Sequence, residues 1–261
     1  MLSEALQRKI DYSINLIQKT EKLALKYSDE GFYLAFSGGK DSQVIYELCK
    51  MAGVKFQAYM NLTTIDPTVV LNFVKDRYPD CKKLKPQKSF FKWLESKQLP
   101  TRQIRWCCEK LKEIGGKDRV VILGLRKSES FKRSKRIEIS EDNNCKLNKV
   151  ILCPILDWGN SDVWNFIRLK IGFWCELYDQ GYKRIGCVGC PMGSYKSKII
   201  DFRNNPRFKY PIIKAINKSI EKGRYQNFNN AEDVFTWWIS GFSVKKYFEQ
   251  KNQLKLDFNE D

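Results

Sequence analysis

The segment running Phe32-Tyr33-Leu34-Ala35-Phe36 and then Ser37-Gly38-Gly39-Lys40-Asp41-Ser42 limits the fold more than any other part of the chain. Five apolar residues are enough for a buried strand and too few for a helix. Apolar spacing then resumes at Val44, Ile45 and Leu48, which is helical. A strand feeding a helix through a glycine turn is the start of a β-α-β unit, and such units build parallel sheets. The turn is also a phosphate cradle. Its glycines let backbone approach phosphate oxygens, and the helix start aims free N–H groups at an anion. Lys40 adds a point charge, and Ser37 and Ser42 add hydroxyls. The loop is not of the Walker A type, because Asp41 stands where that motif needs Ser or Thr.

The rest of the chain continues the alternation. Leu6, Ile10, Ile14, Ile17, Leu23 and Leu25 predict an amphipathic helix over residues 3–27. Strands are expected at 54–60, 119–123 and 150–153. Helices are expected from Asp66-Pro67 to Arg77, with Asp66 as N-cap, and at 89–96, 109–114 and 161–167. Residues 127–149 are polar and charged and read as a mobile loop, and 251–261 as a fraying end. The expected fold is α/β, a doubly wound parallel sheet with a helical C-terminal extension. The boundary is placed between a domain of residues 1–191 and an extension of 192–261.

Composition narrows the chemistry. Histidine is absent, so no catalytic triad, metal site or pH switch can use it. The net charge of +17 favours a polyanionic partner, with a lysine-rich bias as the alternative. Nothing at the start reads as a signal peptide, and no run of about 18 apolar residues occurs, so a cytoplasmic chain off the membrane is expected.

Nine cysteines in such a chain argue against a disulfide framework. Cys107 and Cys108 are adjacent, and Cys187-Val188-Gly189-Cys190 is a CxxC pair. Two close pairs of thiolates suit a [4Fe–4S] cluster or a structural Zn²⁺, with a metal-free site also open. Cys49 and Cys81 read as packing residues. Cys145, Cys153 and Cys175 lack ligand spacing, though one could carry sulfur.

The hexapeptide 37–42 resembles the phosphate loop of the PP-loop ATP pyrophosphatases, of the adenine-nucleotide α-hydrolase type, a family that includes the sulfonucleotide reductases. Gly124-Leu125-Arg126, Glu129-Ser130 and Arg133 resemble a further family segment. Trp158, Trp164 and the stretch Cys175 to Tyr182 do so too, the tryptophans reading as packing residues. The cysteine pattern resembles that of assimilatory adenylylsulfate reductases and of the DndC- and SspD-type ATP pyrophosphatases of DNA phosphorothioation.

The resemblance implies ATP and Mg²⁺, cleavage at the α-phosphate, and a [4Fe–4S] cluster on Cys107, Cys108, Cys187 and Cys190. It implies Lys40, Asp41 and Arg126 as catalytic residues. Nucleotide contacts would come from Ser37, Gly38, Gly39, Lys40, Asp41, Ser42, Asn61, Thr63, Arg126 and Arg133, with Asp41 a direct or indirect Mg²⁺ ligand. The favoured acceptor is DNA, with a cysteine desulfurase as sulfur donor. Thiolation of tRNA or a small molecule, sulfonucleotide reduction, and a non-catalytic nucleic-acid-binding module are the alternatives. Reductases carry a catalytic Cys in a Glu-Cys-Gly-Leu-His tail. This sequence has no Cys after Cys190, which counts against reduction.

Overall fold

The computed structural model describes residues 3–141 and 148–251. In chain order the elements are α1 (Glu4–Tyr27), β1 (Phe32–Ala35), α2 (Lys40–Ala52), β2 (Phe56–Asn61), α3 (Thr68–Arg77), β3 (Lys82–Leu84) and α4 (Phe90–Leu94). There follow β4 (Val120–Ile122), α5 (Phe131–Ser134), β5 (Ile139–Glu141), β6 (Val150–Leu152) and α6 (Asn160–Phe166). Four helices close the chain: α7 (Tyr195–Asn204), α8 (Lys209–Glu221), α9 (Ala231–Ser240) and α10 (Val244–Glu249). Short π-helical turns occupy Cys108–Lys112 and Ile167–Ile171.

These elements form two compact units. The first takes Met1–Asn61, Thr68–Lys85 and Ile114–Ile185, and the second Leu62–Pro67, Pro86–Glu113 and Gly186–Asp261. The division differs from the expected boundary after residue 191. The C-terminal helices bury Ile212, Ile216, Val234, Phe235 and Trp238 in one core with Ile65, Phe90, Leu94, Trp106 and Leu111. Those apolar partners lie far back in the sequence, so no composition shift marks the division.

The first unit carries a six-stranded sheet in the order β3-β2-β1-β4-β6-β5. All neighbours are parallel except β5, which runs antiparallel to β6 with Ser140 opposite Ile151. Phe32 and Leu34 on one face of β1 and Tyr33 on the other are all buried, as expected for a strand covered on both faces. The predicted loop at 127–149 thus contains a helix and an edge strand. Its polar residues gave no alternation signal, and an edge strand needs little. Residues 142–147, with Cys145, lie outside the described residues, as does most of the predicted fraying end. Helix α1 buries Leu6, Ile10, Ser13, Ile17, Thr20 and Ala24. The stripe keeps helical spacing but uses small residues, while the predicted Leu25 faces out. Ser13 explains its own burial: its hydroxyl reaches the carbonyls of Lys9 at 2.8 Å and Pro154 at 2.7 Å.

Because β1 lies between β2 and β4, the chain reverses direction across the sheet at β1 and β4. The loops leaving their carboxyl ends meet at that switch point, where open α/β sheets bind ligands. Those loops are Ser37–Gly39 and the one holding Gly124 and Arg126.

In the second unit, α4 is capped by Ser89, α7 by Ser194, α9 by Asn230 and α10 by Ser243, each side chain accepting from an amide three residues on. None of the helices among the described residues is long and apolar enough to cross a membrane.

Candidate active site

The phosphate loop is held by its own hydroxyls. Ser42 Oγ donates to the Gly39 carbonyl at 2.7 Å, and the Ser37 amide donates to Ser42 Oγ at 3.3 Å. Gly38 has φ +72, and a Cβ there would stand 2.9 Å from Val74 Cγ2 and 3.1 Å from Val70 Cγ1. Both the backbone and the space therefore require glycine. Ser37 is exposed, whereas Lys40 and Ser42 are buried.

Lys40 Nζ lies 3.0 Å from Asp41 Oδ2, and Arg126 Nε lies 2.7 Å from Asp41 Oδ1. One carboxylate thus bridges two cations beside the helix start. Arg126 is 4% exposed and donates from Nη1 to Ser128 Oγ at 3.2 Å. Glycine at 124 lets the two loops touch, because a Cβ there would come within 2.8 Å of the Asp41 carbonyl oxygen. Lys40, Asp41 and Arg126, the three residues expected to be catalytic, are therefore in direct contact. Arg133 is tied in at one remove. It pairs with Glu129, whose carboxylate accepts from the Arg126 amide at 3.0 Å.

Asn61 ends β2, and its side chain accepts from Tyr33 Oη at 3.4 Å. It sits at the carboxyl end of the sheet, as expected, next to Tyr33. Thr63 has a different setting from the nucleotide contact expected of it. It belongs to the second unit, is 1% exposed, and donates from Oγ1 to Asp66 Oδ1 at 2.7 Å. The Asp66 carboxylate, expected as a helix cap, also accepts from the Thr63 amide.

In the second unit Cys107, Cys108, Cys187 and Cys190 line one small cavity of about 20 Å³, together with Thr63 and Lys112. Three separate segments supply these residues. The CxxC turn is fixed by the Cys190 amide donating to the Cys187 carbonyl at 3.2 Å and the Gly193 amide to the Cys190 carbonyl at 2.8 Å. Gly189 has φ +65, and a Cβ there would stand 2.6 Å from Phe202. A hydrogen bond with the Cys107 thiol lowers Cys108, helped by Arg105 and Lys112, and the same bond raises Cys107. Burial raises Cys187, while the Cys187 sulfur beside Lys112 pushes that ammonium up.

Four soft sulfur donors with no carboxylate among the lining suit Zn²⁺ or an iron–sulfur cluster in chemistry. As they stand, no three Cys, Asp or Glu side chains among the described residues are arranged to hold a metal ion. The cavity has room for about one water molecule. Cys49, Cys81, Cys153 and Cys175 belong to the first unit and are buried there.

Two residues escaped the sequence reading. Tyr178 Oη accepts from the Lys40 amide at 2.8 Å, and burial raises its pKa, so it stays protonated. It lies in a segment that resembled the family, but one Tyr among many carries no signal of its role. Lys198 is buried, donates to the carbonyls of Trp238 and Ile239 at 3.2 Å each, and is pushed down to about 8 by burial and by Arg102.

Residues 31–193 match the phosphoadenosine phosphosulfate reductase domain. The chain belongs to that family, within the PP-loop adenine-nucleotide α-hydrolase superfamily. Over 198 residues it is 33% identical to an uncharacterized protein of Methanocaldococcus jannaschii, covering 72% of this chain and 47% of that protein. Over 69 residues it is 42% identical to the adenosine 5'-phosphosulfate reductase of Oceanobacillus iheyensis, covering 26% of this chain and 28% of that enzyme. The chain thus spans under half the length of either relative. Its fold is shared with the Candida glabrata FMN adenylyltransferase solved with FAD and inorganic pyrophosphate. The TM-score is 0.52 at 17% identity, over 72% of this chain and 68% of that one.

Proposed function

We propose that the chain is an ATP pyrophosphatase that adenylates an acceptor for sulfur incorporation, the favoured acceptor being a DNA backbone phosphate. One observation carries the reading: Lys40, Asp41 and Arg126 form a contiguous ion chain at the mouth of the phosphate loop. An acceptor oxygen attacks the α-phosphorus, the bond to the bridging oxygen breaks, and pyrophosphate leaves. Lys40, the hydroxyls of Ser37 and Ser42, and the loop amides take up its charge. Arg126 holds Asp41, so that Lys40 can exchange its carboxylate partner for phosphate. Mg²⁺ enters with the triphosphate, and Asp41 is the carboxylate available to it, directly or through water. Sulfur leaves a cysteine desulfurase as a persulfide, and a thiol reductant releases it as sulfide while being oxidised to a disulfide; the sulfide then attacks the activated phosphorus, and AMP leaves with the oxygen.

Cys107, Cys108, Cys187 and Cys190 would hold a [4Fe–4S] cluster, which supplies a place to bind sulfide. The net charge of +17 supports a nucleic-acid acceptor over a small molecule.

The test is product analysis on anaerobically purified protein. ATP should yield AMP and pyrophosphate, and ADP as main product would overturn the reading. Cys187→Ser should lower iron content and brown absorbance together while leaving the affinity for ATP in place. Mass spectrometry of co-expressed DNA and tRNA then assigns the acceptor.

A further inference from the structure

The net positive charge is not spread evenly over the first unit. Between Arg126 and β5 the chain runs Lys127, Lys132, Arg133, Lys135, Arg136 against two acids, Glu129 and Glu138. Lys127 pairs with Asp157 at 2.8 Å, and Arg133 pairs with Glu129. Lys132, Lys135 and Arg136 are exposed, and none of the three pairs with a carboxylate among the described residues. Among them stand two large apolar side chains open to solvent, Phe131 at 79% exposure and Ile137 at 67%. Ser130 caps the short helix α5 and so fixes Phe131 at its first position. Lys135 Nζ lies 4.8 Å from the Phe131 ring centre. Burial in the core does not account for an aromatic ring held outward among exposed cations.

A second feature adjoins this strip. Glu138, the next residue, lines a cleft of about 300 Å³ with Arg8, Lys9, Tyr12, Asp157 and Trp158. That volume is at the low end of small-molecule pockets. Tyr12 Oη donates to Glu138 at 2.8 Å, while Lys9 is held at 2.5 Å by Asp162. The cleft lining is balanced in charge, with Arg8 and Lys9 against Glu138 and Asp157. It therefore offers hydrogen-bond acceptors and an aromatic edge rather than a phosphate site. A basic strip with an outward aromatic beside a charge-balanced cleft is the division of labour found where backbone and unstacked bases are held separately.

We propose that the strip Phe131–Ile137 and the adjoining cleft under Tyr12 bind an unpaired DNA strand, with Lys132, Lys135 and Arg136 on phosphates and Phe131 stacked on a base. The inference rests on the reading that DNA is the acceptor, and it adds the surface and the strand state. Duplex DNA keeps its bases stacked inward, so Phe131 discriminates in favour of the single strand.

Binding of a fluorescent single-stranded oligonucleotide, its duplex, and an RNA strand of the same sequence is measured by anisotropy across a salt series. The single DNA strand should bind tighter than the duplex. Phe131→Ala should weaken single-strand binding about 10-fold or more, and Phe131→Leu should not rescue it, because leucine has no stacking face. The triple variant Lys132→Ala, Lys135→Ala, Arg136→Ala should lower the slope of log affinity against log salt by about 2, from three lost phosphate contacts. All variants should keep wild-type melting and wild-type AMP formation in the absence of DNA. Unchanged single-strand affinity in Phe131→Ala, duplex binding as tight as single-strand binding, or tighter binding of RNA overturns the inference. No binding by the wild-type protein at low salt, with AMP still formed, overturns it while leaving the α-phosphate chemistry standing. Formation of ADP instead sinks the chemistry, and the anisotropy series still decides the surface.

Discussion

The two units assemble their reactive groups in opposite ways. In the sheet unit, Lys40, Asp41 and Arg126 gather where two parallel strands end, and each charge is already met by another. In the helical unit, four thiols converge from segments 107–108 and 187–190 onto a cavity of about 20 Å³, and no metal geometry is yet in place. The first site is set by backbone: a strand ends, a turn follows, and helix amides point outward whatever occupies them. The second is set by packing, since only the burial of Trp106, Leu111, Val188 and Trp238 in one core brings its segments together. A site made by backbone survives loss of its ligand. A site made of thiols gains its final geometry from the ion it holds.

The difference explains what could be read in the sequence. Residues 32–42 announce strand, turn and helix in a contiguous stretch, and the structure places β1 and α2 within a residue or two of that reading. Arg126 was legible because the segment Gly124-Leu125-Arg126, with Glu129-Ser130 and Arg133, follows a strand and resembles a segment of the family. The edge strand β5 was not, because three half-exposed residues carry no period. The division between units was hidden for a related reason. Residues 62–67 and 86–113 join the C-terminal helices through contacts between distant side chains, and no local pattern records those. The small buried stripe of Ser13, Thr20 and Ala24 on α1 escaped an apolar count, since its packing depends on close approach and not on bulk.

The comparison is broken most sharply at Lys40. Under the proposed chemistry Lys40→Ala would remove the charge that meets departing pyrophosphate, and it should slow AMP formation on the order of 100-fold or more. Iron binding by the helical unit should not change, and a parallel loss of iron would show that the two sites are not separate devices.

A smaller effect, of equal size in both units, is expected from their constrained glycines. Gly38→Ala and Gly189→Ala each force a side chain into left-handed backbone and against Val74 or Phe202. Each should cost about 2 kcal/mol or more, read from urea unfolding. Their functional consequences should cross: Gly38→Ala weakens ATP binding and spares iron, and Gly189→Ala does the reverse. Identical loss of both properties in the two variants would argue for one cooperative site.

The smallest effect concerns Tyr178, and its sign is informative. Its oxygen accepts the Lys40 amide at 2.8 Å, which is one of the helix-start donors that a phosphate group would use. Its ring packs edge-on against Trp164 at 5.0 Å between centres, and its raised pKa keeps the proton in place through the neutral range. Tyr178→Phe keeps that ring contact and deletes only the acceptor. The free protein should lose about 1 kcal/mol of stability, the usual worth of one hydrogen bond. With nucleotide the amide is released from competition, so KM for ATP should fall severalfold while kcat holds. A rise in KM would mean that the hydroxyl donates to nucleotide and that the loop rearranges around it. The sheet site would then, like the thiol site, owe its working geometry to its ligand.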